Sequence, residues 1–285
     1  MQYIAPLLGP PGDSPWTSYT EPFLGAGSVF FGLAARGVLP EEITLSDINP
    51  RLIEYHRAVR DDVEGVLTAL AALPWGPEYV ERYVPMRAEF NASEQQGPEH
   101  AARFIWLNKH CFNGLWRENQ KGHLNAHVGL DAKGGPKVQG PPDPEHLRWC
   151  SRALQFATLH TLSFDMALED MDAPGARVYA DPPYVPRNIT GYDTFVGYSG
   201  GGFGAPEQQR LAGRLRELAA EGATVVASNH DLPVVRDLYK GFEVHALEVH
   251  RSVSRTAGGR GKVGEVLLCA GPRGSTPHVD VGVPV

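Results

Sequence analysis

The stretch "VYADPPYVP", residues 178–186, ends an apolar run with an acid, two adjacent prolines and a tyrosine. Proline has no backbone donor and a fixed φ, so neither a strand nor a helix interior can continue through Pro182 and Pro183. The exit is stiff and extended, with one carboxylate, main-chain carbonyls and an aromatic face. Such a segment suits a flat ligand. Two acceptors aimed at the two N–H bonds of a planar amine pull the nitrogen toward tetrahedral geometry. That frees a lone pair otherwise delocalised into the ring. Asp181 supplies one acceptor, the Pro182 carbonyl the other, and Tyr184 a ring to stack on the amine. Catalysis of this kind rests on positioning and preorganised electrostatics. It needs no metal, and no strong base before attack on a methylsulfonium.

A second group of residues lies upstream, in "EPFLGAGSVF" and "LSDIN". Gly25 and Gly27 allow a sharp strand-to-helix turn and close approach of a ligand. The amides of a helix beginning near Ser28 favour an anionic group. Asp47 follows at the tip of the next strand, where an acid grips a ribose diol. A nicotinamide-dependent dehydrogenase carries the same pair. Asp181 discriminates, because its Asp-Pro-Pro-Tyr exit suits N-methylation by an adenosine-bearing cofactor. A base stacked in a duplex cannot reach such a pocket and has to be flipped out.

These groups need a sheet to hold them. Seven short apolar runs, at 17–23, 43–47, 158–163, 177–181, 223–229, 242–249 and 263–270, predict strands. Helical patterns lie between them. One follows the glycine turn over 27–36. One begins with an Asn49 cap and Pro50 and runs as "NPRLIEYHRAVRDDVEGVLTAL". One is "PEQQRLAGRLRELAAEG", closed by Gly222. Alternating strands and helices predict a largely parallel sheet with right-handed crossovers. About 110 residues separate the second and third strands, too many for a loop, which predicts an inserted domain.

A chain of 285 residues and 42% apolar composition suits one large α/β domain with an insertion. No apolar run is long enough for a membrane span, and no secretory leader is read at the N-terminus. Cys111, Cys150 and Cys269 are scattered, without metal spacing, and read as reduced thiols of a cytoplasmic protein. The net charge of −7 is unevenly spread. Lysine and arginine outnumber acids from Arg103 to Arg152, and "RSVSRTAGGRGK" (251–262) has no acid. Two basic segments in an acidic chain fit a phosphate-binding face. Solvated loops are the plainer explanation on charge alone.

The motifs "EPFLGAGSVF", "SDIN", "LNKHCFNGLWREN", "DPPYVP", "EQQRLA", "SNHD" and "RSVS" with "GKVGEVL" occur in this order between Glu21 and Leu268. Together they resemble the Dam-type DNA adenine-N6 methyltransferases, in which the cofactor motif precedes the recognition domain and the catalytic motif follows. The resemblance implies an α/β fold with a seven-stranded mixed, mostly parallel, Rossmann-like sheet and an inserted, mainly helical DNA-recognition domain. The expected division is catalytic parts over 1–56 and 157–270 and a recognition domain over 57–156, and the Gly/Pro-containing tail over 271–285 reads as disordered. S-adenosylmethionine is the implied methyl donor, an adenine of double-stranded DNA the acceptor. The implied cofactor set is Glu21, Phe23, Gly25, Ala26, Gly27, Ser28, Asp47, Ile48, Phe164, Asp165, Met166 and Asp181. Asp165 would meet the cofactor's adenine. The DNA set is Lys109, Asn113, Arg117, Asn119, Asn125, Arg251, Arg255, Arg260 and Lys262. A cognate restriction endonuclease is a further expected partner, and a monomer or weak dimer the expected state. N-methylation of RNA or of a protein glutamine amide follows from the same Pro-Pro-Tyr logic. An inactive DNA-binding homologue is the reading from another class.

Two departures stand out. Relatives carry a stretch like "LKWAGGK" ahead of the point where "MQYIAPLL" begins, so a weaker grip on the cofactor is expected. Where relatives have "FNVPFG" this chain has "HLNAHVG" (123–129), keeping Asn125 and Gly129, so the recognised sequence does not transfer. His123 and His127 are spaced four apart with no third ligand, and no zinc site is expected. "FIWLNKHCF" reads as a buried helix face with Phe104, Ile105 and Leu107 in the core. Ser228 and Asn229 are placed at the pocket edge, and His230-Asp231 as a cap of the following helix.

Overall fold

Runs rich in β-branched and aromatic residues become strands: β1 (Ser18–Glu21), β2 (Glu42–Asp47), β3 (Thr158–Thr161), β4 (Arg177–Ala180), β5 (Thr224–His230), β6 (Glu243–Val249) and β7 (Val263–Ala270). The computed structural model describes residues 2–9, 16–93, 96–119, 121–189, 192–196, 202–249 and 263–272. The helices are α1 (Ile4–Leu7), α2 (Ser28–Ala34), α3 (Pro50–Asp61), α4 (Val63–Ala71), α5 (Tyr79–Ala92), α6 (Gly97–His110), α7 (Pro144–Leu154), α8 (Phe164–Leu168), α9 (Tyr192–Val196), α10 (Ala205–Ala220) and α11 (Pro233–Leu238).

The seven strands form one sheet in the order β3-β2-β1-β4-β5-β7-β6. β1 pairs in parallel with β2 and with β4, and β4 in parallel with β5. β7 is antiparallel to both β5 and β6. The fold is therefore the mixed, mostly parallel α/β sheet expected from the sequence. The strand order reverses between β1 and β4. At such a switch point the loops leaving neighbouring strands diverge and open a crevice at the carboxyl ends. The glycine turn follows β1 and the Asp-Pro-Pro-Tyr exit follows β4, so both groups belong to that crevice.

By contacts the chain divides into two compact units, 1–48 with 160–285, and 49–159. The sequence-based boundary between 56 and 57 falls inside α3. In the first unit Val178, Ala180, Val225 and Ala227 of the sheet pack with Leu211, Leu215 and Leu218 of α10. Gly204 precedes α10 as its N-cap, and its amide donates to Glu207 at 2.8 Å. The helix is followed by Gly222, whose φ of 110° no other residue type adopts without strain.

In the second unit Tyr79, Tyr83, Phe90, Phe104, Trp106 and Leu107 form an aromatic-rich core. The helix expected from Asn49 onward is two helices. Asn49 caps α3, accepting from the Arg51 amide at 3.0 Å. Asp62 then leaves helical geometry and caps α4, accepting from the Gly65 amide at 2.9 Å. In α6 Phe104 and Leu107 are core residues, but Ile105 is only half-buried, and Trp106 is the residue beside it that is fully buried. Cys111, Cys150 and Cys269 are buried thiols. Among the described residues no helix is long and apolar enough to cross a membrane.

Candidate functional site

A cavity of about 490 Å³ opens at the carboxyl ends of the central strands of the first unit. Glu21, Phe23, Gly25, Ala26, Ser28, Asp47, Ile48 and Asp181 of the expected residues line it. Leu24, Val29, Tyr179, Pro183, Gly202 and Phe203 complete the wall. The turn after β1 is tight because Gly25 and Gly27 both have positive φ, 51° and 72°. A Cβ built at Gly25 meets no protein atom within 4 Å, whereas one at Gly27 would stand 3.0 Å from the Phe31 ring. Gly25 therefore leaves room beside the turn, and Gly27 lets the turn pack on its helix. Asp47 closes the loop by accepting from the Gly25 amide at 3.0 Å. Its carboxylate is thereby fixed at the tip of β2.

Glu21 is buried at the end of β1 and accepts from the Tyr19 hydroxyl at 2.7 Å. Burial pushes its carboxyl up to about 8. The hydrogen bonds from Tyr19 and the Phe30 amide oppose that rise, and the charge of Asp181 adds to it. Phe23 and Phe203 of the wall form an aromatic cluster with Phe164, with ring centroids 5.5–5.6 Å apart. Phe164 thus supports the wall rather than lining it. Asp165 lies outside the lining set, its carboxylate paired to Arg210 at 3.1 Å. Arg210 in turn lies 5.9 Å over the Phe164 ring. Met166 is exposed.

The Asp-Pro-Pro-Tyr exit is held by Ser228 and Asn229, expected at the pocket edge, and by Gln208, which sequence reasoning did not place there. Gln208, wholly buried on α10, donates to the Pro183 carbonyl at 2.7 Å. Among the described residues no donor takes the Pro182 carbonyl. Asn229, wholly buried on β5, accepts from the Val185 amide at 3.0 Å and donates to Gln208 Oε1 at 3.3 Å. Both residues stand in motifs already singled out, "EQQRLA" and "SNHD"; their burial as amides is the signal that marks them. Ser228 donates a short hydrogen bond to Asp181. Asp181 is exposed and lines the cavity. Tyr184 is half-buried, its ring edge-on to His230 at 5.0 Å. Burial first, then the Asp181 charge, keeps its phenol well above the usual range. Asp231 does not cap α11; it binds Arg236 at 2.7 and 3.0 Å.

The second unit gathers the expected DNA residues that are described. Residues 117–119 and 121–125 run antiparallel as the two arms of a hairpin, bridged between Glu118 and Leu124. Asn119 closes its tip by accepting from the Lys121 and His123 amides. Arg117 Nε donates to Asn125 Oδ1 at 3.0 Å, and the Asn125 amide to the Arg117 carbonyl at 2.8 Å. Asn113 sits in left-handed geometry, φ 55°, beside Gly114 in a short turn after α6. Arg117, Asn113 and Asn119 are exposed, Asn125 and Lys109 half-buried. Arg251, Arg255, Arg260 and Lys262 lie outside the described residues. Among the described residues no cluster of His, Cys, Asp or Glu could hold a metal ion.

A mixed α/β sheet with a glycine turn and an Asp-Pro-Pro-Tyr exit at one switch point defines an amino-methyltransferase. Residues 13–253 match the D12 class N6 adenine-specific DNA methyltransferases, and the chain belongs to that family. Its activity is methylation of adenine N6 in DNA, with S-adenosylmethionine as the family's methyl donor. It is 33% identical over 264 residues to a DNA adenine methylase of Vibrio cholerae, covering 91% of this chain and 87% of that one. It is 29% identical to a Type II methyltransferase, M1.LlaDCHI, of Lactococcus lactis, with 94% and 89% covered. It is 32% identical to a Type II methyltransferase, M.MjaIII, of Methanocaldococcus jannaschii, with 83% and 82% covered.

Proposed function

We propose that the cavity of the first unit holds the cofactor on the β1–β2 side and that the extruded adenine sits at its Asp181 edge, against Pro182 and Tyr184, which adjoin the lining in sequence without belonging to it. The observation that carries this reading is the meeting of Gly25, Asp47 and Asp181 in one cavity wall. The residues fit the cofactor. Asp47, fixed by the Gly25 amide, is set for a ribose diol. The room beside Gly25 and the buried Glu21 suit the methionine end. The exposed Ile48 offers an apolar face to a base. When bound, the cofactor supplies an electrophilic methyl group. Asp181 accepts from the adenine amine with an oxygen that Ser228 helps to aim. The Pro182 carbonyl takes the second N–H, and Tyr184 stacks on the ring.

The hairpin residues Arg117 and Asn125 contact base edges, while Lys109, Asn113 and Asn119 support the grip on DNA. The basic segment 251–262 holds phosphates. Likeness to Type II methyltransferases supports a cognate restriction endonuclease as partner.

Two substitutions test the assignment. Asp181→Ala is expected to abolish methyl transfer and leave S-adenosylmethionine affinity within a few-fold, whereas Asp47→Ala chiefly weakens the cofactor. Calorimetry and transfer assays on the same preparations decide it. Equal loss of both properties in Asp181→Ala would mean that this carboxylate serves the cofactor instead. The methylated site itself is read by modification-detecting sequencing of DNA from a methylation-free host expressing the chain.

A further inference from the structure

Tyr79, Tyr83, Arg87 and Asn91 recur every four residues along α5 and so share one face of that helix. All four direct their polar ends to one stretch of main chain. Asn91 makes a closed pair with Leu124, donating to its carbonyl at 3.0 Å and accepting from its amide at 2.9 Å. Arg87 and Tyr83 both donate to the Ala126 carbonyl, at 2.6 and 3.2 Å. Tyr79 donates to the Gly129 carbonyl at 2.6 Å and accepts from the Lys137 amide at 2.8 Å.

The clamped stretch alternates. Leu124 and Ala126 are buried in the aromatic core, while Asn125 is half-buried and His127 exposed. Among the described residues two isolated bridges pair it, Glu118 with Leu124 and Cys111 with Val128. Two such bridges fix a register weakly, and a slip of one residue would exchange the two faces. The four side chains of α5 supply the missing constraint. Their partners in this stretch are main-chain atoms, so residues 125 and 127 can differ without disturbing the clamp. Leu124 also adjoins Asn125, which holds Arg117 through both its amide and its side chain. A displaced Leu124 therefore displaces the Arg117–Asn125 pair.

We infer that this face of α5 is a template for the DNA-reading hairpin, and that Asn91 is the positioning residue that sets its sequence discrimination. The inference rests on Arg117 and Asn125 being base-reading groups. Asn91→Leu removes both bonds to Leu124 at similar volume. Arg87→Met is milder, because Tyr83 still holds the Ala126 carbonyl. The measurement is kcat/KM on a duplex carrying the methylated site and on duplexes altered at single flanking pairs, with Arg117→Ala in parallel and cofactor affinity by calorimetry. Asn91→Leu is expected to lower the ratio between correct and altered duplexes about tenfold or more, with cofactor affinity within about twofold. Arg87→Met lowers it less. A merely structural role reduces the active fraction and leaves the ratio unchanged, and that result overturns the inference. If Asn91→Leu does not fold, Arg87→Met decides: an unchanged ratio overturns the inference, a lowered one supports it. An unchanged ratio in Arg117→Ala removes the reading beneath it.

Discussion

Glu21 holds a proton at a pH where most carboxyl groups do not, because β1 buries it wholly while Asp181 sits near. That has a consequence for stability. A carboxyl raised from 4.5 to about 8 in the folded chain keeps a proton that the unfolded chain releases. Stability therefore falls as pH rises from the ordinary carboxyl range to about 8, and levels off above it. Glu21→Gln removes the titration and keeps an acceptor for Tyr19. Urea midpoints measured across that pH range are expected to decline less steeply in the variant. Identical slopes would show that Glu21 is ionised in the fold. The signs of Asp181, Asp47 and the glycine turn were legible in the sequence because their types are tied to their chemistry. The protonation of Glu21 was not, since burial by partners distant in sequence causes it.

At the scale of elements, the Asp-Pro-Pro-Tyr exit is an irregular segment held by two regular ones. Gln208 from α10 and Asn229 from β5 tie Pro183 and Val185, and tie each other. Prolines stiffen the exit, but stiffness does not aim it; the two buried amides do. Asn229→Leu is expected to lower kcat by about a hundredfold, the usual cost of misplacing a reacting group by an ångström. Cofactor affinity should change little, since neither amide lines the cavity. Single-turnover rates with saturating cofactor check this, and an undiminished rate would assign the pair to stability alone. The seven strands and the glycine-closed α10 were legible because apolar runs and turn residues mark them locally. The break at Asp62 was hidden in a continuous helical pattern, which an acid capping its own successor interrupts without glycine or proline. The pairing of Asp165 with Arg210 was hidden because 45 residues separate them in sequence.

For the whole molecule, the net charge of −7 opposes a polyanion, so DNA must be gripped by local charge. The two basic segments differ in kind. Arg117 and Asn125 belong to a hairpin held by its own pairing and by a helix face, and on the proposed reading their groups meet base edges. The segment 251–262 has arginines and a lysine among glycines and serines, with few groups to read a pattern. It should hold phosphates whatever the sequence. Replacing Arg255 or Arg260 by Ala is then expected to weaken target and non-target duplexes alike. It should also lower the slope of log K against log salt by about one unit, one phosphate contact being lost. Replacing Asn125 by Ala should lower discrimination by about 1–3 kcal/mol, the worth of a bidentate base contact, with the salt slope nearly kept. Salt titrations on both duplexes separate the two. If the Arg255 and Arg260 variants change sequence preference while Asn125→Ala weakens every duplex equally, the roles of the two segments are reversed.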